Sequence, residues 1–218
     1  VKRSGQRHPA AAVDVVIFRV HGDALEALLV RIKHGPCRGH WAFPGGLVQS
    51  GESLDAAARR ELVEKTPLRD VYLEQLYTFG DPQRNPTAHV VSTAYFALLP
   101  AAALDPRPGT KYSRAEWFDV RRLPPLAYDH DLVARVALER LQAKIQYTNV
   151  AYGLLGRRFT LGELQHVYEV IGGRRLDRRN FRKRILDSGL LRPLGKMRRG
   201  AHRPAALYAF RPRRLALL

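Results

Sequence analysis

The 218-residue sequence contains one cysteine, Cys37, so no disulfide can form within the chain. That usage fits a reducing compartment. No apolar run approaches the roughly 18 residues of a membrane-spanning helix. The opening VKRSGQRHP is basic and lacks the apolar centre of a secretory signal. It reads as a loose arm, and the expected location is cytoplasmic, with no membrane association. The scarcest property is negative charge: 20 Asp and Glu stand against 37 Lys and Arg, leaving a net +17. The shortage is local. Residues 1–145 carry 20 basic and 16 acidic side chains, whereas residues 146–218 carry 17 and 4. Solubility does not require that asymmetry, but binding a polyanion does. The 45% hydrophobic and 26% charged shares are otherwise those of an ordinary soluble globular chain, long enough for one large or two modest domains.

What is present is organised around residues 46–68, GLVQSGESLDAAARRELVEKTPL. Gly45 and Gly46 allow a backbone turn that brings main chain close to a phosphate. Ser53 is placed to cap a helix on which Leu54, Ala58 and Leu62 form an apolar stripe. Glu61 and Glu64, three apart, are expected on the opposite face. Rows of carboxylates of this kind gather oxygen ligands for Mg²⁺ beside a diphosphate. Arg60 is positioned to pair with Glu64 or to reach Glu52. A solvated helix face with ordinary ion pairs would share the charges, but not the Gly-Gly loop and fixed spacing. The stretch resembles the Nudix box, the signature of hydrolases that split a nucleoside diphosphate from another group, at Gly46, Glu52, Arg60, Glu61, Leu62, Glu64 and Leu68. Trp41-Ala42-Phe43-Pro44-Gly45-Gly46 ahead of it is also Nudix-like. Two positions depart from the pattern. The resemblance implies a second glutamate, a principal metal ligand, where this chain has Lys65, and a glycine where it has Pro67. A cation at a ligand position repels a metal. Diphosphate recognition is therefore expected to outlive hydrolysis, with no catalytic residue assigned and with Glu61 and Glu64 as a weak, vestigial Mg²⁺ site. No cofactor is required.

Along the chain, Val13–Val20 and Ala27–Lys33 read as strands joined at His21-Gly22-Asp23. Further strands are expected over Val71–Phe79, Val90–Leu99 and Ala115–Val120. A helix follows over Asp129–Ile145, with Leu132, Val136, Ala137, Leu141 and Ile145 on one stripe. This order suits an α/β/α sandwich around a mixed sheet. The loop GDPQRNPTAH resembles one that reaches over the ligand in ADP-ribose-type Nudix proteins, which makes Asp81 and Arg84 candidate contacts. The alternative is that Asp-Pro and Asn-Pro simply initiate turns.

After Gln146 the pattern changes. Thr160 and Glu163 form a capping box opening a helix to Ile171, with Leu161, Leu164, Tyr168 and Ile171 inward, and Gly172-Gly173 closes it. Asp177 caps a second helix, with Leu176 and Phe181 as a staple, and Gly189 ends it. Phe181, Ile185 and Leu186 are expected inward. Arg178, Arg179, Asn180, Arg182 and Lys183 are expected outward, at the end of a recognition helix that meets base edges. Leu190–Pro193 and Ala206–Phe210 can pair around the tip KMRRGAHRP, placing Arg198, Arg199, His202 and Arg203 for phosphate or minor-groove contacts. A basic helical cap on the first domain is the plainer alternative. Aromatic residues are not interleaved here, which disfavours single-stranded RNA.

An N-terminal Nudix α/β/α sandwich (1–146) joined to a C-terminal winged helix-turn-helix (147–218) resembles the Nudix-related transcriptional regulators of NAD metabolism, the NrtR family. The resemblance covers nearly the whole chain. It implies a homodimer on double-stranded, palindromic operator DNA, released when ADP-ribose or a relative occupies a cleft formed by Gly45, Gly46, Arg60, Glu61, Glu64, Asp81 and Arg84. The rival reading is an active Nudix pyrophosphatase with a basic nucleic-acid-binding tail.

Overall fold

Strand β1 (Ala10–His21) divides the first domain into two sides. It is apolar on both faces, as a central strand covered by two layers must be. Val13, Val15 and Ile17 pack with Ala57, Ala58 and Leu62 of helix α1 (Leu54–Lys65). Val16, Phe18 and Val20 pack with Val133, Ala137 and Leu141 of α2 (His130–Tyr147). The computed structural model describes residues 8–66, 71–101, 106–199, 204–211 and 214–217. The basic arm through Arg7, and Pro67, Leu68, His202 and Arg203, lie outside them.

Among the described residues the sheet has seven strands: β1, β2 (Ala24–Ile32), β3 (Trp41–Ala42), β4 (Gly45–Leu47), β5 (Tyr72–Phe79), β6 (Val90–Leu99) and β7 (Tyr112–Asp119). β1 and β6 run parallel and the other pairs antiparallel, so the sheet is mixed. β1 pairs with β2 through Phe18–His21 but with β4 through Ala12–Asp14. Where it changes partner, the sheet opens into a cleft.

Two apolar stripes bury most of their expected members, Ala58 and Leu62 in α1 and Ala137, Leu141 and Ile145 in α2, but each leaves its first leucine outside. In α1, Leu54 is exposed, and the buried set is Ala57, Ala58, Glu61, Leu62 and Lys65. In α2, Leu132 is 40% exposed while His130, Val133, Ala137, Leu141 and Ile145 are buried. α2 carries apolar residues around more than half its circumference, so periodicity alone leaves its rotation open. The contacts of His130 with Asp14 of β1 and of Asp129 with Arg84, in the loop between β5 and β6, fix it.

The second domain continues the first without a break. A 3-10 turn (Val150–Gly153) lays Gly153 so close to β5 and β6 that a Cβ there would lie 2.8 Å from the Leu98 Cβ. The cluster on the α2 side of the sheet runs through Val150, Leu154, Leu164, Ile171, Phe181, Ile185 and Phe210. Helix α3 (Leu161–Gly172) has the full Thr160–Glu163 capping box and ends at Gly173 with φ +65°. Helix α4 (Arg178–Asp187) is capped by Asp177, and Gly189 follows it at φ +67°. Each such side-chain cap contributes about 1 kcal/mol. Leu186 is exposed rather than inward, because Phe181 and Ile185 fill the core face of α4. The wing is a three-stranded sheet of β8 (Phe159–Thr160), β10 (Ala205–Phe210) and β9 (Leu191–Arg198), in that order. β9 runs to Arg198 rather than stopping at Pro193.

Candidate functional site

The cleft at the split of β1 encloses about 400 Å³, lined by Ala12, Asp14, Phe43, Gly45, Gly46, Arg84, Asn85, Lys111, Tyr112, Tyr128 and His130 among others. Its glycines are required by close approach. A Cβ on Gly45 would lie 2.4 Å from Asp14 Oδ1, and one on Gly46 would lie 2.5 Å from Glu61 Oε1. Beneath Gly46, Arg60 gathers the carboxylates of the box. Its Nε and Nη2 donate to the two Glu52 oxygens at 2.8 and 2.9 Å, and its Nη1 donates to Glu61 Oε1 at 2.6 Å. Glu64 is 3.9 Å away. Both partners that sequence spacing offered Arg60 are therefore within reach, with Glu52 the closer. The Arg60 guanidinium and the Gln49 amide hold the Glu52 carboxyl at about 2.

Glu61 is not on an outward face but fully buried, and Lys111 Nζ donates to its Oε1 at 2.6 Å. Lys65 is also fully buried. Its ammonium donates to Glu64 at 3.2 Å and stands 4.8 Å over the Tyr112 ring. It thus sits behind Tyr112, and of the three cations around the box carboxylates it is Lys111 that lines the cleft. The residues do not fit a hydrolytic Mg²⁺ ion, which takes close to six oxygen ligands. Glu52, Glu61 and Glu64 face the three cations Arg60, Lys65 and Lys111. Of these carboxylate oxygens, Glu61 Oε2 is buried without a partner among the described residues. Among the described residues no three His, Cys, Asp or Glu side chains are placed to share a metal ion.

The cleft floor is a second polar network that sequence reading missed. Asp14 accepts from the Ser92 hydroxyl at 2.7 Å and from Arg84 Nη2 at 3.1 Å. His130 Nε2 lies 3.4 Å from its other oxygen, while His130 Nδ1 accepts from the Phe43 amide at 2.9 Å, which fixes the tautomer. Burial pushes the Asp14 carboxyl up, but His130, Ser92 and Arg84 outweigh it and hold it at about 2. The available signal was a lone aspartate inside the apolar run Val13–Val20. Arg84 lines the cleft, yet it is buried and bidentate on Asp129, at 2.9 and 2.7 Å, instead of reaching outward from a loop. Asp81 is not among the lining residues. It accepts from the Gln83 amide in a turn, the alternative its Asp-Pro pair offered. Tyr128, at the cleft margin, holds φ +59°, a backbone state that costs a non-glycine residue about 1–2 kcal/mol. Tyr112 is tied to Gly45 by its hydroxyl, which donates to the Gly45 carbonyl at 2.9 Å.

On the second domain Arg178, Arg179, Asn180 and Lys183 are exposed along α4. Arg182 is only half-buried outward; it lines a groove with Thr160, Leu161, Arg178 and Tyr208, and its Nε is buried without a partner. Arg198 pairs with Glu163 and donates to the Arg158 carbonyl, so it braces the wing against α3 rather than extending from it. Arg199 is exposed.

Residues 8–141 match the NUDIX domain model, and residues 151–210 match that of the NrtR DNA-binding winged helix domain. The chain is 35% identical to the "ADPR responsive transcriptional repressor NtrR" of Acinetobacter baylyi, over 96% of this chain and 85% of the relative. Its structure is similar to Shewanella oneidensis NrtR complexed with a 27mer DNA, with TM-score 0.82, 34% identity, and 92% and 93% of the two chains covered. The NUDIX domain of that Shewanella protein complexed with ADP ribose matches at TM-score 0.58 and 31% identity, covering 65% of this chain and 94% of that one.

Proposed function

This chain belongs to the NrtR family, and from that premise we propose that it is a DNA-binding transcriptional repressor whose Nudix cleft senses ADP-ribose or a close relative. One observation carries the reading. A cleft with charge-neutralised carboxylates is joined by a single helix, α2, to a basic winged helix. Asp129 and His130, at the start of α2, take part in the cleft network. Near its end, Gln142 donates to the Ile171 carbonyl of α3 at 3.1 Å. Ligand in the cleft thereby bears on the element that positions α4. Shewanella oneidensis NrtR is complexed with a 27mer DNA and its NUDIX domain alone with ADP ribose, and the same two ligands suit the two sites here.

The protein works as a cytoplasmic homodimer, because two half-sites multiply the limited specificity of one small module. The effector-binding set is Gly45, Gly46, Lys111, Tyr112 and the Arg60–Glu61 pair beneath them. The DNA-binding set is Arg178, Arg179, Asn180, Arg182, Lys183 and Arg199. Hydrolysis is not its work. The carboxylates that would hold a metal are already taken by cations, so Mg²⁺ enters weakly if at all. A second reading, an active pyrophosphatase, draws on the retained Glu52, Arg60, Glu61 and Glu64.

Fluorescence anisotropy with DNA from upstream of its own gene, with and without ADP-ribose, tests the proposal. Specific binding relieved by ADP-ribose is expected. Mg²⁺-dependent turnover of ADP-ribose in the common enzyme range of roughly 1–10³ s⁻¹, without DNA binding, would establish the second reading instead.

A further inference from the structure

We infer that Lys111 supplies from within the chain the positive charge that a divalent cation supplies in a hydrolytic diphosphate site, so that this cleft holds a nucleoside diphosphate without metal. The inference rests on the ADP-ribose reading above. Three cations surround the box carboxylates, and two are committed elsewhere. Arg60 spends its Nε and Nη groups on Glu52, Glu61 and the Leu47 carbonyl. Lys65 is fully buried behind the Tyr112 ring.

Lys111 differs from both. Its side chain is 43% exposed and lines the cleft with Gly45 and Gly46. Its Nζ lies 2.9 Å from where a Gly46 Cβ would stand. Of its three N–H donors, Glu61 takes one among the described residues. The ammonium is therefore held by a buried carboxylate on one side and open to the cleft on the other. An ammonium in this position binds phosphate oxygens as a point charge. It also occupies Glu61 Oε1, so a metal ion bound at that oxygen would have to displace it.

Titration calorimetry of ADP-ribose into the full-length protein, in EDTA and in MgCl₂, tests this. The native chain is expected to bind equally in both. Lys111→Met should bind about tenfold to a hundredfold more weakly in EDTA, the loss of one charged hydrogen bond. Mg²⁺ should restore part of that loss, because Glu61 is released. Lys111→Gln is the parallel variant should Lys111→Met fail to fold. Native binding that vanishes in EDTA overturns the inference, as does unchanged binding by either variant.

If ADP-ribose binds in neither medium, the sensor reading fails, and Mn²⁺ titration followed by electron paramagnetic resonance decides the role of Lys111 separately. No site in the native chain and one site in the Lys111 variant would support it. A native Mn²⁺ site removed by Glu61→Gln would overturn it.

Discussion

Asp14 is a charge held inside an apolar strand, and its partners make it an acid-sensitive point. Its carboxyl is lowered from 3.8 to about 2 in the folded chain. Because the folded value is depressed, the contribution is complete above the unfolded value and is lost as pH falls through the folded one. The window is roughly pH 4 to 2, and the size is about 2 kcal/mol. Urea melts at pH 5 and pH 3 should show the native chain losing stability over this interval. Asp14→Asn should lose less over the same interval, after an initial cost of about 3 kcal/mol for leaving Arg84 and His130 short of their shared carboxylate. Lys65 calls for a different substitution. On sequence grounds Lys65→Glu restores a metal ligand. In the structure it buries a third carboxylate near Glu61 and Glu64, behind Tyr112. The expected result is a lower melting temperature with no gain in Mg²⁺-dependent cleavage of ADP-ribose, and recovered turnover would contradict it.

At the scale of elements, α4 and the wing divide their contacts. Arg179 is exposed on α4, and on the proposed reading it meets a base edge, so Arg179→Ala should cost roughly 1–3 kcal/mol and relax preference at one base position. Arg182 lies in the groove against α3 and β10. Arg182→Ala, like Arg199→Ala, should weaken all sequences alike and flatten the salt dependence by about one unit of slope. Binding isotherms on operator and scrambled duplexes at several salt concentrations separate the two classes. A changed base preference in Arg182→Ala would reverse its assignment. On the proposed reading helix α2 carries the link between the sites. Gln142→Ala removes its bond to the Ile171 carbonyl and should shrink the effect of ADP-ribose on DNA affinity more than it changes DNA affinity itself.

Across the whole molecule, sensing requires ADP-ribose to bind the DNA-free arrangement more tightly than the DNA-bound one, since equal affinities shift nothing. Half-sites lie about 34–36 Å apart or at multiples of that, so a displacement of a few ångströms in a dimer spoils simultaneous docking. Coupling of this kind is typically about 1–3 kcal/mol, and it is reciprocal. Operator DNA must weaken ADP-ribose binding by the factor by which ADP-ribose weakens DNA binding. Calorimetric titration of ADP-ribose into free and operator-bound protein measures both. Equal affinities would exclude ADP-ribose as the inducer. The apolar cluster running from the sheet through α2 into α3 and α4 gives such coupling a continuous packed route.

The sequence by itself determined the elements whose signals are local. The strands are short apolar runs bounded by turn residues, Thr160 and Asp177 cap with their own side chains, and Gly173 and Gly189 take left-handed turns. It also determined the Nudix spacing, the winged helix and the charge asymmetry, because these are properties of order along the chain. Only the tertiary structure decided which face of each helix is buried. Leu54, Leu132 and Leu186 satisfy helical periodicity yet lie exposed, while Glu61 and Lys65 lie inside. Periodicity fixes spacing, not rotation, and rotation follows from contacts made across the fold. For the same reason the Asp14–Arg84–Asp129–His130 network and the Lys111–Glu61 pair were illegible beforehand. Their members lie 50 to 70 residues apart in Lys111–Glu61 and Arg84–Asp14, and nothing local marks one as the partner of the other until the sheet brings them together.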